Sequence, residues 1–486
     1  MAATGSPVAR DIAMKVRERI SWSGFDKAKL DRAVAKFVGR IDVVKLHFLE
    51  ACVGCGVCAP ACPYYYVDER NAPMIKAEKA RYIYRKKLTF AGRILGWLVN
   101  AKLPKSEKDL DEIVEAVYRC TNCGHCYLTC PFGIDSGSVI QELLKIVATD
   151  MGRVPSLIDF FAELERSGAF YEVPSLMEAW KAALTKAEEA IGKKLPYDKA
   201  GAEILLLPML TDALFYPGAI AGAIKILEAA KLDYTVPSKP LGFRTPVAAV
   251  AGRPEAAKEA LKRLVDSIEK LGVKTVVLLD GGFPYFWLRW KAPTVLGRKL
   301  DFKVLHIVEL VDELISKGKL EFETADDEVT WHDPCQLVRR GGVVEEPYRV
   351  MAKVSRRFRP LPHHGVNSLC CGGGGGIGCM SMEMIKQFSS LVGLKPEDLI
   401  SGEKEKEFIE KTEKAWAVAL KRKIDHIRES KAKPRSNSLP GLHALNCWRC
   451  KDLRSRNRYY AYCRIPWKVC AGCWNQMTVH DPYTVF

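Results

Sequence analysis

Seventeen cysteines stand in a chain of 486 residues, and their spacing says more than their number. CVGCGVCAPACP at 52–63 and CTNCGHCYLTCP at 120–131 each follow C-x2-C-x2-C-x3-C-P. Two-residue gaps wrap a tight loop around one face of an iron–sulfur cube, and the fourth cysteine of each run ligates the neighbouring cube. The pattern predicts two [4Fe–4S] clusters, one held by Cys52, Cys55, Cys58 and Cys130 and the other by Cys120, Cys123, Cys126 and Cys62. The fourth cysteine is expected to start a helix that crosses between clusters, with Pro63 and Pro131 turning the chain away. Gly54, Gly56 and Gly124 let the backbone approach closely enough for N–H groups to bond the sulfurs. A pair of zinc knuckles is the competing reading, but zinc has no use for a duplicated eight-cysteine pattern with matched prolines. Residues 63–119 between the runs read as helical, and Tyr64, Tyr65 and Tyr66 either shield a cluster or simply pack.

A second group of thiols comes later in the chain. It comprises His332-Asp333-Pro334-Cys335, Cys370-Cys371 followed by five glycines (372–376), and Cys447-Trp448-Arg449-Cys450. The glycine run is a poor phosphate loop, since neither GK[ST] nor GxGxxG surrounds it. Cys447 and Cys450 combine with Cys470 and Cys473 as C-x2-C-x19-C-x2-C, a zinc-ribbon spacing, so a zinc site stays open beside an iron–sulfur one. Cys379 and Cys463 read as free thiols. Among the histidines near this group (His332, His363, His364), His332 is the candidate catalytic residue, as a proton relay near neutral pH; a hydrogen-bonded strand-end histidine is the plainer alternative.

The order C…CCG…CxxC resembles the cysteine-rich CCG domain of heterodisulfide reductases. With the paired ferredoxin-type runs, CPFGID (130–135), MGRVP (151–155) and an α/β block, most of the chain is similar to the heterodisulfide reductase D subunit. The K subunit of sulfite-reductase-associated membrane complexes is similar too, and the iron–sulfur subunits of glycolate, lactate and anaerobic glycerol-3-phosphate oxidoreductases are more distant likenesses. The resemblance implies a non-cubane cluster bound by Cys335, Cys370, Cys371, Cys447 and Cys450. Soft thiolate donors suit such a centre. It also implies a disulfide or other sulfur substrate, and redox partners that include a quinone-reactive membrane subunit or a flavoprotein. Two departures stand out. No cysteine occurs between Cys130 and Cys335, so the first of the family's two CCG modules is a cysteine-free pseudo-repeat, with Pro208–Leu210, Pro240–Gly242 and Gly281–Tyr285 where cysteines would stand. The span from Cys371 to Cys450 is about twice the family's, the extra residues mapping to 383–440.

The elements that must position these thiols follow from periodicity. Residues 1–46 form an N-terminal helical segment with apolar positions such as Val34, Phe37, Val38 and Ile41 at helical spacing. A helical ferredoxin-type domain with two [4Fe–4S] clusters spans 47–155, and a helical connector 156–200. Short apolar runs at 204–210, 247–252, 275–282 and 304–311 alternate with helix-like stretches (218–231, 255–271), as βαβ units do. They give a cysteine-free CCG-like α/β module over 201–320. A CCG module over 321–460 carries an inserted exposed helix and loop (383–440), and a cysteine-containing tail fills 461–486. The fold class is therefore α+β and α/β multidomain: a helical two-cluster domain, then two CCG-type α/β modules, the first without cysteines.

Composition narrows the function. An apolar share of 48% and a charged share of 27% describe a folded globular chain. The net charge of +16 suits an anionic membrane face or an acidic partner. Nucleic acid is not expected, because no basic run alternates with aromatics. The N-terminus lacks the apolar core of a secretion signal and no segment is long enough to span a bilayer, so a cytoplasmic protein, peripheral on the membrane, is expected. The most membrane-like stretch, Leu88–Leu103, reads as a core helix, with a segment lying on a membrane or against a partner helix as the alternative. With no flavin or nicotinamide fingerprint, the chain is expected to be an oxidoreductase subunit. It either acts on a sulfur substrate at the CCG centre or relays electrons for a separate dehydrogenase.

Overall fold

The computed structural model describes residues 6–244 and 246–430. Cys447, Cys450, Cys463, Cys470 and Cys473 lie outside the described residues, as does the choice between cluster and zinc at the first pair. The chain forms two compact units, one from Met1–Arg166, Val247–Ala257 and Leu369–Lys423 and the other from Ser167–Pro246, Lys258–Ser368 and Ile424–Phe486.

The first unit is helical. It opens with α1 (Pro7–Arg19), α2 (Lys27–Gly39) and α3 (Val43–Glu50), each capped by a side-chain oxygen, from Ser6, Asp26 and Asp42 respectively. Between the cysteine runs lie α4 (Pro73–Leu88), the short α5 (Phe90–Ile94) and α6 (Glu107–Tyr118), the last started by a reciprocal Ser106–Asp109 capping box. A five-residue helix α7 (His125–Thr129) ends at Cys130. The fourth cysteine of the second run thus closes a helix instead of starting one, and Cys62 sits in a succession of turns. The gap is too tight for more: a single helical turn already consumes the residues between Cys126 and Cys130.

Buried charge fastens the unit. Asp159, fully inaccessible, accepts from Arg19 Nε at 2.7 Å and pairs with Arg253 Nε at 2.6 Å, joining three segments distant in sequence. Around it, Phe388 meets Phe161 and Phe160 edge-on at 4.5 and 5.8 Å. The long helix Glu403–Glu429, expected as an exposed insertion, instead contributes to this core. Phe408, Ile409, Ala415, Ala419 and Leu420 are buried, and Phe408 stacks on Trp22 at 5.0 Å. Its high charge density concealed an apolar stripe at helical spacing.

The second unit carries a four-stranded parallel sheet, β1 (Ile204–Leu207), β2 (Tyr234–Thr235), β3 (Thr275–Leu278) and β4 (Lys303–His306), in the order β2-β1-β3-β4. The continuous apolar ILLL of β1 is buried throughout, as a strand covered on both faces must be. The run 304–311 divides at His306, where β4 passes into the helix Ile307–Ser316. The run 247–252, expected as a strand, is instead a short helix, Val247–Val250, in the first unit. Six small apolar residues carry no period that distinguishes the two. A separate parallel pair, β5 (Ala325–Val329) and β6 (Ser355–Phe358), precedes and follows Cys335. Among the described residues this block carries only this two-stranded sheet.

Glu405 illustrates the cost of the buried charge. Ser156 donates to it through N and Oγ, both at 2.6 Å, and Ser401 N at 2.5 Å, yet burial pushes its carboxyl up to about 7. A carboxyl raised in the fold is protonated there while the unfolded chain is already ionised. Its stabilisation is complete below about pH 4.5 and lost as pH rises through 7, about 3 kcal/mol in all. Glu405→Gln is therefore expected to remove a fall in apparent Tm between pH 5 and 8 that the native protein displays in anaerobic thermal scans.

Candidate functional site

The two cysteine runs adopt the same local shape. Gly54 and Gly56 in the first are left-handed (φ 71° and 81°), and Asn122 and Gly124 repeat this at the matching positions of the second (φ 53° and 74°). The expected role of the glycines thus extends to Asn122, one of the side chains that tolerates this conformation. Positive φ turns successive N–H groups inward, toward where ligated sulfur would lie.

The tertiary structure brings thiols of the two runs near each other. Burial raises the Cys58 thiol, and the charges it feels come from Cys52 and from Cys130 of the other run. Burial pushes Cys126 well up, with contributions from Asp135, Cys123, Cys120 and, from the first run, Cys62. A hollow lined by Cys52, Cys55, Cys58, Cys126, Cys130 and Met74 opens at the first set, where Cys55 is exposed. Among the described residues, no group of three or more His, Cys, Asp or Glu side chains is arranged to hold a single metal ion.

Fit to an anionic cluster is also visible in the cations nearby. Lys76 and Lys145 are both buried beside Cys120. Lys76 Nζ donates to Arg119 O at 2.5 Å, and Lys145 Nζ donates to Gly375 O at 3.2 Å while lying 4.7 Å from the Tyr118 ring centre. Burial pulls Lys145 down to about 7, with Cys120 acting the other way. Two buried amines beside thiols are costly unless those thiols carry negative charge, as cluster ligands do.

The CCG loop is built onto this second set. Cys370 is buried, its Sγ 3.4 Å from Thr121 Oγ1 and within 3.4 Å of Gly372 N–H. The fully buried Tyr64, two residues beyond Cys62, donates its phenol to Gly372 O at 2.9 Å. Burial holds that phenol well above its usual range, with Cys370, Cys371 and Cys62 adding to the effect. Of the two readings of the tyrosines, Tyr64 therefore lines the space between two thiol groups. Tyr66 is exposed and stacks under Arg422 at 3.7 Å. The glycines are dictated by proximity: a Cβ on Gly374 would lie 2.6 Å from Thr121 O, and one on Gly375 would overlap Cys120 O. On the other side, Trp416 packs against Gly372 and Gly373 and donates to Cys371 O at 3.4 Å. Thr121, Lys145 and Trp416 escaped the sequence reading: Thr121 stands inside the second cysteine run but is no ligand itself, and the other two stand in stretches with nothing to mark them. Cys379 ends the 3₁₀ turn Ile377–Cys379 and is half-buried.

Cys335 belongs to the second unit, on the turn after β5, where Arg340 N donates to its carbonyl at 3.1 Å. Before it, His332 is buried, and Asp333 accepts from Tyr348 Oη at 2.7 Å and Gly365 N at 2.9 Å. His364 Nδ1 lies 2.7 Å from Leu361 O, and His363 N donates to His426 Nε2 at 2.8 Å. In the cysteine-free block the loops after the strands are closed on each other: Leu210 N donates to Gly242 O at 3.1 Å and Thr211 N to Phe243 O at 3.2 Å. Asp212 caps Met209 N at 2.7 Å there, its carboxyl pushed well up by burial and by Asp280.

Residues 48–134 match the model of a 4Fe–4S dicluster domain, and residues 329–392 that of a cysteine-rich (CCG) domain. The Hdr-like menaquinol oxidoreductase iron–sulfur subunit 2 of Archaeoglobus fulgidus is 26% identical over 381 residues, 68% of each chain. The D subunit of the dihydromethanophenazine:CoB–CoM heterodisulfide reductase of Methanosarcina acetivorans is 26% identical over 353 residues, 69% of this chain and 81% of that one. A probable membrane-anchored ferredoxin of Chromohalobacter salexigens is 26% identical over 67% of this chain and 50% of its own. No solved structure matches the chain.

Gly375→Ala is expected to force the glycine loop off the Cys120 carbonyl, costing about 2–3 kcal/mol from overlap and positive φ together. Iron analysis of the purified variant should register the loss of about four irons per chain, one cluster's content.

Proposed function

We propose that this chain, a homologue of the heterodisulfide-reductase-type iron–sulfur subunits, passes electrons through two [4Fe–4S] clusters to or from a CCG cysteine centre that acts on a disulfide or other sulfur substrate. One observation carries the reading: the CCG loop and the Cys120 loop lie in the same compact unit, with Cys370 Sγ 3.4 Å from Thr121 Oγ1. When bound, the clusters supply one-electron storage, whereas breaking an S–S bond consumes two electrons and two protons.

The residues assign themselves to ends of this line. Cys52, Cys55, Cys58 and Cys130 hold the cluster that meets the partner, since Cys55 is exposed and Val53, Val57 and Phe132 leave an apolar rim around it. Cys120, Cys123, Cys126 and Cys62 hold the inner cluster, its charge offset by Lys76 and Lys145. Cys370 and Cys371 hold the third centre, joined by Cys335 and by Cys447 and Cys450 from outside the described residues. His332 is the candidate to deliver protons to the departing sulfur. The cysteine-free block is a structural pseudo-repeat whose strand-end loops bond to each other where a cluster would otherwise sit. Partners are a quinone-reactive membrane subunit or a flavoprotein, with the chain peripheral on the cytoplasmic membrane face. Among the described residues no helix is long and apolar enough to cross a membrane.

A second reading is a pure relay without a substrate site, and the burial of Cys370 favours it. Iron, sulfide and zinc analysis of anaerobically purified protein separates the two, combined with EPR of the thiol-treated oxidised form. Clearly more than about eight irons per chain, with a signal lost in Cys370→Ser, supports the catalytic centre; about eight and no such signal leave only the relay. One zinc per chain would instead place Cys447 and Cys450 with Cys470 and Cys473. Thr121→Val removes the hydroxyl beside Cys370 and is expected to shift the midpoint potential of that EPR signal, while Thr121→Ser retains it.

A further inference from the structure

The stretch 88–98, read from sequence as part of a core helix, is the most exposed apolar segment of the first unit. Helix α4 ends at Leu88, α5 occupies only Phe90–Ile94, and tight turns follow. Phe90 is 81% exposed, Ile94 62%, Trp97 84% and Leu98 64%, with Leu88 and Leu95 exposed beside them. A core element would hide these side chains, and four large ones displayed within nine residues form a patch of the kind that marks an interaction surface.

The display is held firmly. Thr89 caps Gly92 N at 3.0 Å, Arg93 Nη2 donates to Lys87 O at 2.8 Å, and Lys86 Nζ donates to Arg93 O at 3.2 Å. Ala101 N donates to Gly96 O at 2.7 Å, closing the loop. Two glycines are required here: a Cβ on Gly92 would overlap Arg85 O, and one on Gly96 would lie 2.9 Å from Ala101 O. The apolar side chains therefore project from a compact, internally bonded protrusion.

Its charge is one-sided. Between Glu78 and Glu107 the chain has no acidic residue but eight basic ones: Lys79, Arg81, Arg85, Lys86, Lys87, Arg93, Lys102 and Lys105. Lys79, Arg81 and Arg85 are engaged by Glu112 and Glu78. Among the described residues, none of the other five enters an ion pair. Tryptophan and phenylalanine at the tip with a surrounding set of lysine and arginine is the composition that seats at an anionic lipid interface, aromatic rings among the acyl–headgroup boundary and cations on the phosphates.

We infer that 88–98 is a monotopic docking surface for an anionic bilayer, with Phe90, Ile94, Trp97 and Leu98 entering the interface and Lys86, Lys87, Arg93, Lys102 and Lys105 facing lipid phosphate. The inference refines the peripheral attachment proposed above by naming lipid itself as what the chain touches. It rests on that attachment and on nothing in the sulfur chemistry.

The test is flotation of the full holo-chain with phosphatidylcholine vesicles, with and without phosphatidylglycerol. Binding is expected to the phosphatidylglycerol vesicles, weakened by salt, and to fall about ten-fold in Phe90→Ser/Trp97→Ser. Lys102→Gln/Lys105→Gln, both exposed and outside the bonds that hold the protrusion, should weaken the preference for anionic lipid. Iron content and EPR of each variant, expected unchanged because the side chains are exposed, separate a docking defect from a failed fold and from a failed electron-transfer reading. Absence of flotation with anionic vesicles, or flotation unaltered by the double substitution, overturns the inference. So does finding that the double substitution abolishes only self-association in sedimentation or only co-purification of a protein partner, since the patch would then be a protein interface.

Discussion

The close approach of the glycine loop 372–376 to the Cys120–Thr121 backbone is the constraint on which the rest of the site depends. No residue with a Cβ fits at Gly374 or Gly375, because the space is already filled by the carbonyls of Thr121 and Cys120. That approach sets Cys370 against the Thr121 hydroxyl and lets the buried Tyr64 phenol reach Gly372. A loop that costs so much backbone entropy must be held from outside, and it is. Trp416 covers one side, Lys145 bonds Gly375 from another, and Ile158 and Val250 stand where a side chain on Gly376 would go.

These clamps explain why the first unit is assembled from three separated stretches of sequence. Asp159, buried between Arg19 and Arg253, joins the helix Ser156–Ser167 to the N-terminal helix and to the 247–257 stretch. Glu405 ties the long helix Glu403–Glu429 to Ser156 at the start of that same helix. Such buried polar links are weak sources of net stability, but breaking one leaves a charge without its partner. They therefore specify one arrangement, and the arrangement they specify is the one that seats the CCG loop on the inner cysteines.

Electrostatics follows the same logic. Desolvation makes the half-buried Cys120 and Cys126 thiols resist ionisation, and a cluster requires them ionised. Buried Lys76 and Lys145 supply the opposing charge where solvent cannot. The first set differs: Cys55 is exposed and apolar side chains surround it, a surface suited to docking and electron exchange. The two runs share a spacing and a left-handed turn geometry, and their surroundings differ.

The local chemistry was legible in the residues alone. Eight cysteines in two matched runs, the left-handed glycines among them and the CCG order depend on short-range spacing, which sequence records directly. The strands β1 and β3 were legible for the same reason, as continuous apolar runs between turn signals. Three things were decided only by tertiary structure. Leu88–Leu103 has the composition of a core helix, yet Thr89 and the glycines at 92 and 96 break it into a protrusion that leaves Phe90 and Trp97 outside. The helix Glu403–Glu429 has the composition of a solvated surface, yet its apolar stripe finds Trp22 and the glycine loop. Thr121 lies within the second cysteine run, but the spacing says nothing of its hydroxyl, whose place beside Cys370 exists because residues 249 positions apart are folded together. Spacing along the chain marks which groups can bind a cluster; which cysteine loops meet, and through which side chain, depends on long-range packing that no local pattern encodes.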